Sequence, residues 1–99
     1  MTATCRLTPA ALADLDTIAD YTLSKWGADQ MERYILQLTD RCNWLAQNPQ
    51  AGRTRSDIHP DYFCYPQGKH LIFYLRDSVG ISVIGFPHQS MDIVAYFDQ

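Results

Sequence analysis

The chain has little with which to build a disulfide framework or a metal centre. Its 99 residues hold three cysteines, Cys5, Cys42 and Cys64. They are odd in number, far apart and without a CxxC pair, which points to a reduced compartment. Neither these cysteines nor His59, His70 and His88 have finger-like or HExxH spacing, so no metal site is expected. No apolar run approaches the ~20 residues that span a bilayer, and the N-terminus lacks a signal-peptide pattern. A soluble, cytoplasmic protein is the expectation. Also missing is a strong excess of one charge. Eight Lys and Arg against eleven Asp and Glu leave a net charge of -3, which excludes a molecule held on DNA or an anionic membrane by its overall field. Any contact with nucleic acid must come from a local patch. Repeats, low-complexity tracts and cofactor loops are absent, and no nucleophile or acid–base pair stands out. No cofactor is expected.

What is present suffices for a core. A hydrophobic share of 46% and an aromatic share of 12% argue against disorder, and the length suits one domain over residues 1–99. Residues 3–7 alternate apolar and polar at the period of a half-buried strand. Thr8 is a good N-cap and Pro9 suits the first helical position, so a helix should begin there and run to about Trp26. Ala11, Leu15, Ile18 and Thr22 form one stripe and Leu12, Ala19, Leu23 and Trp26 an adjacent one, predicting one broad buried face with Asp14, Asp16 and Asp20 largely outside it. Gly27 has the identity of a left-handed closing residue. A second helical pattern follows at once, which implies an antiparallel hairpin. In it Met31, Ile35, Leu38, Cys42 and Leu45 make an amphipathic stripe that Tyr34 and Trp44 broaden, and Asn48-Pro49 stops it.

Residues 50–60 lose apolar periodicity and read as a loop carrying Arg53 and Arg55. A meander follows, with strands near 62–65, 70–76 and 81–86 and turns at Pro66-Gln67-Gly68 and Asp77-Ser78-Val79-Gly80. The segment 70–75 scarcely alternates, the mark of a central strand covered on both faces. The tail to Phe97 suits a short helix capped by Ser90. The expected fold is α+β: an N-terminal strand, an antiparallel helix hairpin packed on a three- to four-stranded, mainly antiparallel sheet, and a short C-terminal tail or helix.

Five sequence blocks carry a resemblance. They are Leu7-Thr8-Pro9-Ala10-Ala11 with Asp14-Leu15 and Ile18; Tyr21-Thr22 with Trp26-Gly27 and Gln30; Asn48-Pro49 through Gly52-Arg53 to Asp57-Ile58; Gly68-Lys69-His70 with Ile72-Phe73-Tyr74; and His88-Gln89 with Met91-Asp92. Each alone is common punctuation. Together, in order and over nearly the whole chain, they resemble the ParE branch of the ParE/RelE toxin superfamily. The resemblance implies the toxin half of a type II toxin–antitoxin pair that poisons DNA gyrase and is silenced in a hetero-oligomer with a ParD-type antitoxin. Such an inhibitor needs a binding surface and no catalytic group, and the antitoxin rather than this acidic chain would grip operator DNA. The sequence departs from the family where Gly85 and Ser90 stand in place of common basic residues, which leaves open a non-toxic homologue that only binds its antitoxin.

Candidate residues follow, each with its plainer alternative. Arg53, Arg55, Lys69 and Arg76 are candidates for a basic patch touching gyrase or its DNA; otherwise they are solvated charges pairing with Asp57, Asp61 or Asp77. The resemblance puts His88, Gln89, Met91 and Asp92 near the working surface; otherwise His88 is a hydrogen-bonded neutral imidazole and Met91 fills the core. Leu12, Leu23, Ile35 and Leu36 are candidate antitoxin contacts or core residues. Tyr21 and Trp26 are read first as packing residues of the hairpin and second as antitoxin contacts. The rival activity is RelE-type cleavage of mRNA on the ribosome, for which His88, Tyr96 and Arg76 would have to assemble. The acidic balance and the missing late Arg speak against it.

Overall fold

The first helix starts where its capping residues require. Thr8 Oγ1 accepts the N–H of Ala11 at 3.2 Å, Pro9 occupies the first turn, and α1 spans Pro9–Trp26. Gly27, at φ +90° and ψ 174°, closes it by donating its N–H to Leu23 O at 3.0 Å. That is a positive-φ extended residue rather than the left-handed helical one expected. It alone separates α1 from α2 (Ala28–Gln47), so the two helices form the expected hairpin. Asn48 ends α2 with both its backbone N–H and its side-chain amide on Trp44 O.

A computed structural model describes residues 2–98. Before the hairpin lies β1 (Thr4–Leu7); after it come a 3-10 turn (Pro49–Ala51), β2 (Arg53–Thr54), β3 (Phe63–Gln67), β4 (His70–Asp77), β5 (Gly80–Gly85) and α3 (Ile93–Phe97). The sheet has five strands in the order β1-β5-β4-β3-β2, which corrects the three to four expected. The additional strand is β2, too short for a hydrophobic period, formed because Arg53 and Thr54 pair with Cys64 and Phe63. β1 runs parallel to β5 while all other pairs are antiparallel.

The central place of β4 accounts for its unbroken apolar run, since Ile72, Phe73 and Tyr74 are all fully buried. Ile72 and Tyr74 join the cluster under the hairpin with Ala11, Leu15, Leu38 and Leu45. Phe73 meets Tyr62 and Phe97 instead, at ring separations of 6.4 and 4.9 Å. Between Phe73 and Tyr74 the β4–β5 register slips, so that Phe73 faces Gly85 and Tyr74 faces Val83. Ile84 is the extra residue of this bulge. Pairing then outlasts β5: Pro87 lacks an N–H, yet its carbonyl accepts from Leu71 N at 2.9 Å, and His88 bridges His70. A proline in a strand commonly ends its ladder, and Pro87 does not.

The second stripe of α1 is not buried. Leu12, Leu23 and Trp26 are 50%, 46% and 65% exposed, and Leu36 of α2 is 59% exposed, so the broad buried face expected for α1 is only its Ala11-Leu15-Ile18-Thr22 stripe. The physical reason is width: the hairpin seam and the sheet each cover one strip of the cylinder, and nothing within the described residues covers the next.

Tyr74 ties the sheet to the 3-10 turn. Its hydroxyl donates to Pro49 O at 2.8 Å and accepts the N–H of Gly52 at 3.0 Å. Tyr74→Phe strands both partners, and a loss of about 1–2 kcal/mol is expected, read as a lower urea midpoint at unchanged slope; an unmoved midpoint would show the turn held by other contacts.

Candidate functional site

The N-terminal end of β4 faces the junction of α1 and α2 across an open concavity of about 510 Å3. Trp26, Gln30 and Tyr34 line it from the hairpin, and Lys69, His70 and His88 from the sheet. Tyr34 organises its floor. Its hydroxyl accepts the N–H of Lys69 at 3.0 Å and stands 2.6 Å from His70 Nδ1. The same hydroxyl also reaches Gln67 O at 3.4 Å. The His70 and His88 rings lie 5.2 Å apart, nearly perpendicular, because the bridge between the two residues sets them side by side. His88 Nδ1 in turn takes the N–H of Ser90 at 3.1 Å.

His70 is held down to about 4, chiefly by burial and next by repulsion from His88, with Asp14 acting in the opposite sense. The sign follows: below the ordinary 6.5 an unfolded chain binds a proton that the folded one refuses, so stability falls as pH drops from about 6.5 to 4 and levels off below. After allowance for partial solvent screening of the ring, the loss is roughly 2 kcal/mol. Comparing urea midpoints at pH 7 and 4.5 checks it, because the His70→Gln variant should lose this slope. Asp57 and Asp77 do not mimic the effect, since Arg55 beside the first and the Val79 N–H on the second hold them below their ordinary values, and they give up stability only at lower pH.

A second, more apolar concavity of about 250 Å3 lies on the other side of His70 and His88, among Tyr21, Phe86, Met91 and Tyr96. Here α3 is clipped to α1. The Tyr96 hydroxyl donates to Asp14 Oδ2, which also accepts the N–H of Phe86 at 2.8 Å. Asp14 is therefore a junction between three elements rather than a solvated charge. Burial, and then the Asp14 carboxylate, hold the Tyr96 phenol well above its ordinary value.

The four basic candidates do not form one patch. Lys69 sits in the β3–β4 turn and Arg76 near the other end of β4, roughly 23 Å along the strand at ~3.3 Å per residue. Arg55 grips Asp57 through Nε and Nη2, both at 3.0 Å, with its guanidinium 5.4 Å from the Phe73 ring. This is the plain alternative, an ion pair over an aromatic. Arg76 lies 4.3 Å from the Phe63 ring, and Arg53 is exposed on β2. The predicted loop around the two arginines is thus partly a strand.

Of the tail residues, His88 sits on a strand extension, and its Nδ1 accepts the Ser90 N–H. Met91 is 50% exposed and so does not fill the core. Asp92, not Ser90, caps α3, its Oδ1 accepting from Ala95 N at 3.2 Å. Ser90 is drawn instead to His88 Nδ1, at 2.7 Å. Tyr21 and Trp26, expected first as hairpin packing, project into solvent at 61% and 65% exposure. Ile35 is half-buried against the core, unlike the exposed Leu12, Leu23 and Leu36. Tyr96 and His88 line one concavity, but Arg76 is six positions past His70 on β4, roughly 20 Å away. The three residues of the rival site are not assembled.

Sequence reasoning missed Tyr34, His70, Asp14 and Arg41 as organisers. Arg41 spans the Trp44 and Tyr65 rings at 4.7 and 5.3 Å while donating to Gln67 Oε1 at 2.9 Å. Cys42 neighbours Cys5, and that proximity together with burial holds the Cys42 thiol above its ordinary range. Their hydrogen-bond partners are 26 to 82 positions distant in the chain, so no local period could announce them. Among the described residues no group of three His, Cys, Asp or Glu gathers as metal ligands, and no helix is long and apolar enough to cross a membrane.

A strand, a helix hairpin on one face of a mixed five-stranded sheet and a short closing helix define the class, the RelE/ParE-like toxin fold. A solved structure described as "Chromosomal ParDE TA system from P. aeruginosa" matches it with a TM-score of 0.74 and 17% identity, covering 88% of this chain and 96% of that one. The chain belongs to the family described as "ParE toxin of type II toxin-antitoxin system, parDE", whose profile matches residues 5–93. It is 40% identical over 88 residues to Toxin ParE1 of Mycobacterium tuberculosis, covering 88% of this chain and 90% of that protein. Toxin ParE1 of Caulobacter vibrioides is 33% identical over 91 residues, with coverages of 92% and 94%.

Proposed function

We propose that this ParE-family toxin acts in the cytoplasm by inhibiting DNA gyrase and is neutralised by a ParD-type antitoxin that covers its hairpin. The observation that carries the reading is the uncovered apolar band. Leu12, Leu23 and Trp26 of α1 form one exposed apolar stripe and Leu36 of α2 is exposed as well, while Tyr21 is exposed on the opposite flank of α1. A partner segment that folds on binding gains affinity from such a band. The similarity to a chromosomal ParDE system supports a ParD-type protein as that partner. Arg53, Lys69, His88 and Met91 are exposed or line the concavities and are the proposed target contacts. Arg55, Arg76 and Asp92, already engaged with Asp57, Phe63 and Ala95, are proposed to hold that surface in shape.

The test is a gyrase supercoiling and cleavage assay with the purified chain, alongside ribosomes paused on a defined mRNA. Inhibited supercoiling, relieved by the antitoxin, is the expected result, and Arg53→Ala should weaken it several-fold. Cutting of the mRNA without an effect on gyrase would favour the RelE-type reading. Silence in both assays, with antitoxin still bound, would indicate a non-toxic homologue.

A further inference from the structure

We infer that the concavity between the α1–α2 junction and the β3–β4 turn binds one nucleotide unit of nucleic-acid chemistry, with its base against Trp26 and its phosphate at Lys69, His70 and His88. The site is independent of which machine the toxin acts upon. Three observations lead to it.

First, the sheet side of the cavity offers hydrogen-bond donors. The Tyr34 hydroxyl accepts the N–H of Lys69 and stands 2.6 Å from His70 Nδ1, so that nitrogen is engaged on the protein side. His88 Nδ1 accepts the Ser90 N–H, which leaves its ring proton on Nε2. The His88 imidazole N–H and the exposed Lys69 ammonium thus stand beside His70 on one wall, and donors with no carboxylate among the lining residues suit an anionic oxygen cluster.

Second, the formal charge is small. Burial keeps His70 neutral, so Lys69 is the one Lys or Arg on the lining. A singly charged phosphate fits this wall; a polyphosphate would leave charge uncompensated. Third, the opposite wall is aromatic. Trp26 presents its indole at 65% exposure, and Gln30 adds an amide that can donate and accept at a base edge. A volume of about 510 Å3 lies within the ~300–1,000 Å3 of small-ligand sites.

The experiment uses the full chain carrying Trp44→Phe, so that Trp26 is the remaining one of two indoles. It is titrated with a short single-stranded oligodeoxyadenylate, with deoxyadenosine monophosphate, and with a blunt duplex. Saturable quenching of Trp26 by the single strand is expected, with a log–log salt slope of about -0.7 for one phosphate. In anisotropy with a labelled strand, Trp26→Ala should weaken binding about tenfold, Trp26→Tyr far less, and Lys69→Ala several-fold with a flatter salt slope. Both residues are exposed, and circular dichroism confirms the fold of each variant. Tighter binding of the strand assigns the site to a chain; equal binding of the monophosphate assigns it to a free nucleotide. Either supports the site. No saturable quenching, quenching by duplex equal to that by single strand, or variants that bind like the parent would overturn it. Gyrase is absent from this assay, so its outcome and that of the supercoiling test are separable.

Discussion

Gly80→Ala is expected to lower the unfolding free energy by roughly 3–5 kcal/mol, at the extreme of single substitutions. Gly80 sits at φ +144°, where an L side chain is strained, and a Cβ there would fall on Thr4 O and within 2.7 Å of Thr4 N and 2.9 Å of Thr4 C. These are backbone atoms, so no rotamer relieves the overlap. β1 itself must move. It cannot move freely, because Thr4 N donates to Val79 O at 2.8 Å and the β1–β5 register starts at Thr4 and Gly80. The change therefore detaches the sheet's one parallel strand, and with it the anchor of the chain entering α1. Against a typical total of ~5–15 kcal/mol, such a loss leaves the variant partly unfolded at 37 °C. Urea denaturation checks this; a midpoint within error of the parent would mean that β1 contributes nothing to the cooperative unit.

Placing a large basic residue in the last strand, by Gly85→Arg, is expected to cost about 3 kcal/mol, combining overpacking with a broken, partly buried hydrogen bond. A Cβ at Gly85 would overlap the Tyr96 hydroxyl and lie 3.0 Å from Cζ. Tyr96 must then leave Asp14, and α3, five residues long, loses its clip to α1 while Phe97 still packs on Tyr62 and Phe73. The glycine at position 85 thus admits the Tyr96 ring. Faster amide exchange at Phe86, whose N–H also rests on Asp14, would register the release. Smaller damage is expected from Gly85→Arg combined with Tyr96→Ala, since the overlapping ring is gone. If the double variant is no more stable than the single one, Tyr96 is not the source of the cost.

The two glycines mark the boundary of what could be read in advance. Helix positions were legible because Thr8, Pro9, Gly27 and Asn48-Pro49 are local signals acting within a turn or two. The central strand was legible because burial on both faces leaves an unbroken apolar run, here 70–75. β2 was not, since two residues carry no period and its partners, Phe63 and Cys64, become neighbours only through the β3 register. Trp26 and Met91 misled for a related reason: a large apolar side chain on a helix stripe predicts burial only if some element arrives to cover that stripe.

By itself the sequence determined the helix hairpin, the meander and the absence of a dominating charge, because these follow from local periodicity, capping chemistry and composition, and its five blocks in order carried the resemblance to the family. Only the tertiary structure decided that the basic residues lie apart along β4, that Asp14 holds α3, and that Tyr34, His70 and His88 share one wall beneath an exposed Trp26. Those relations depend on strand register and on the bulge at Ile84, which join residues many positions apart through long-range pairing energies that no local pattern encodes.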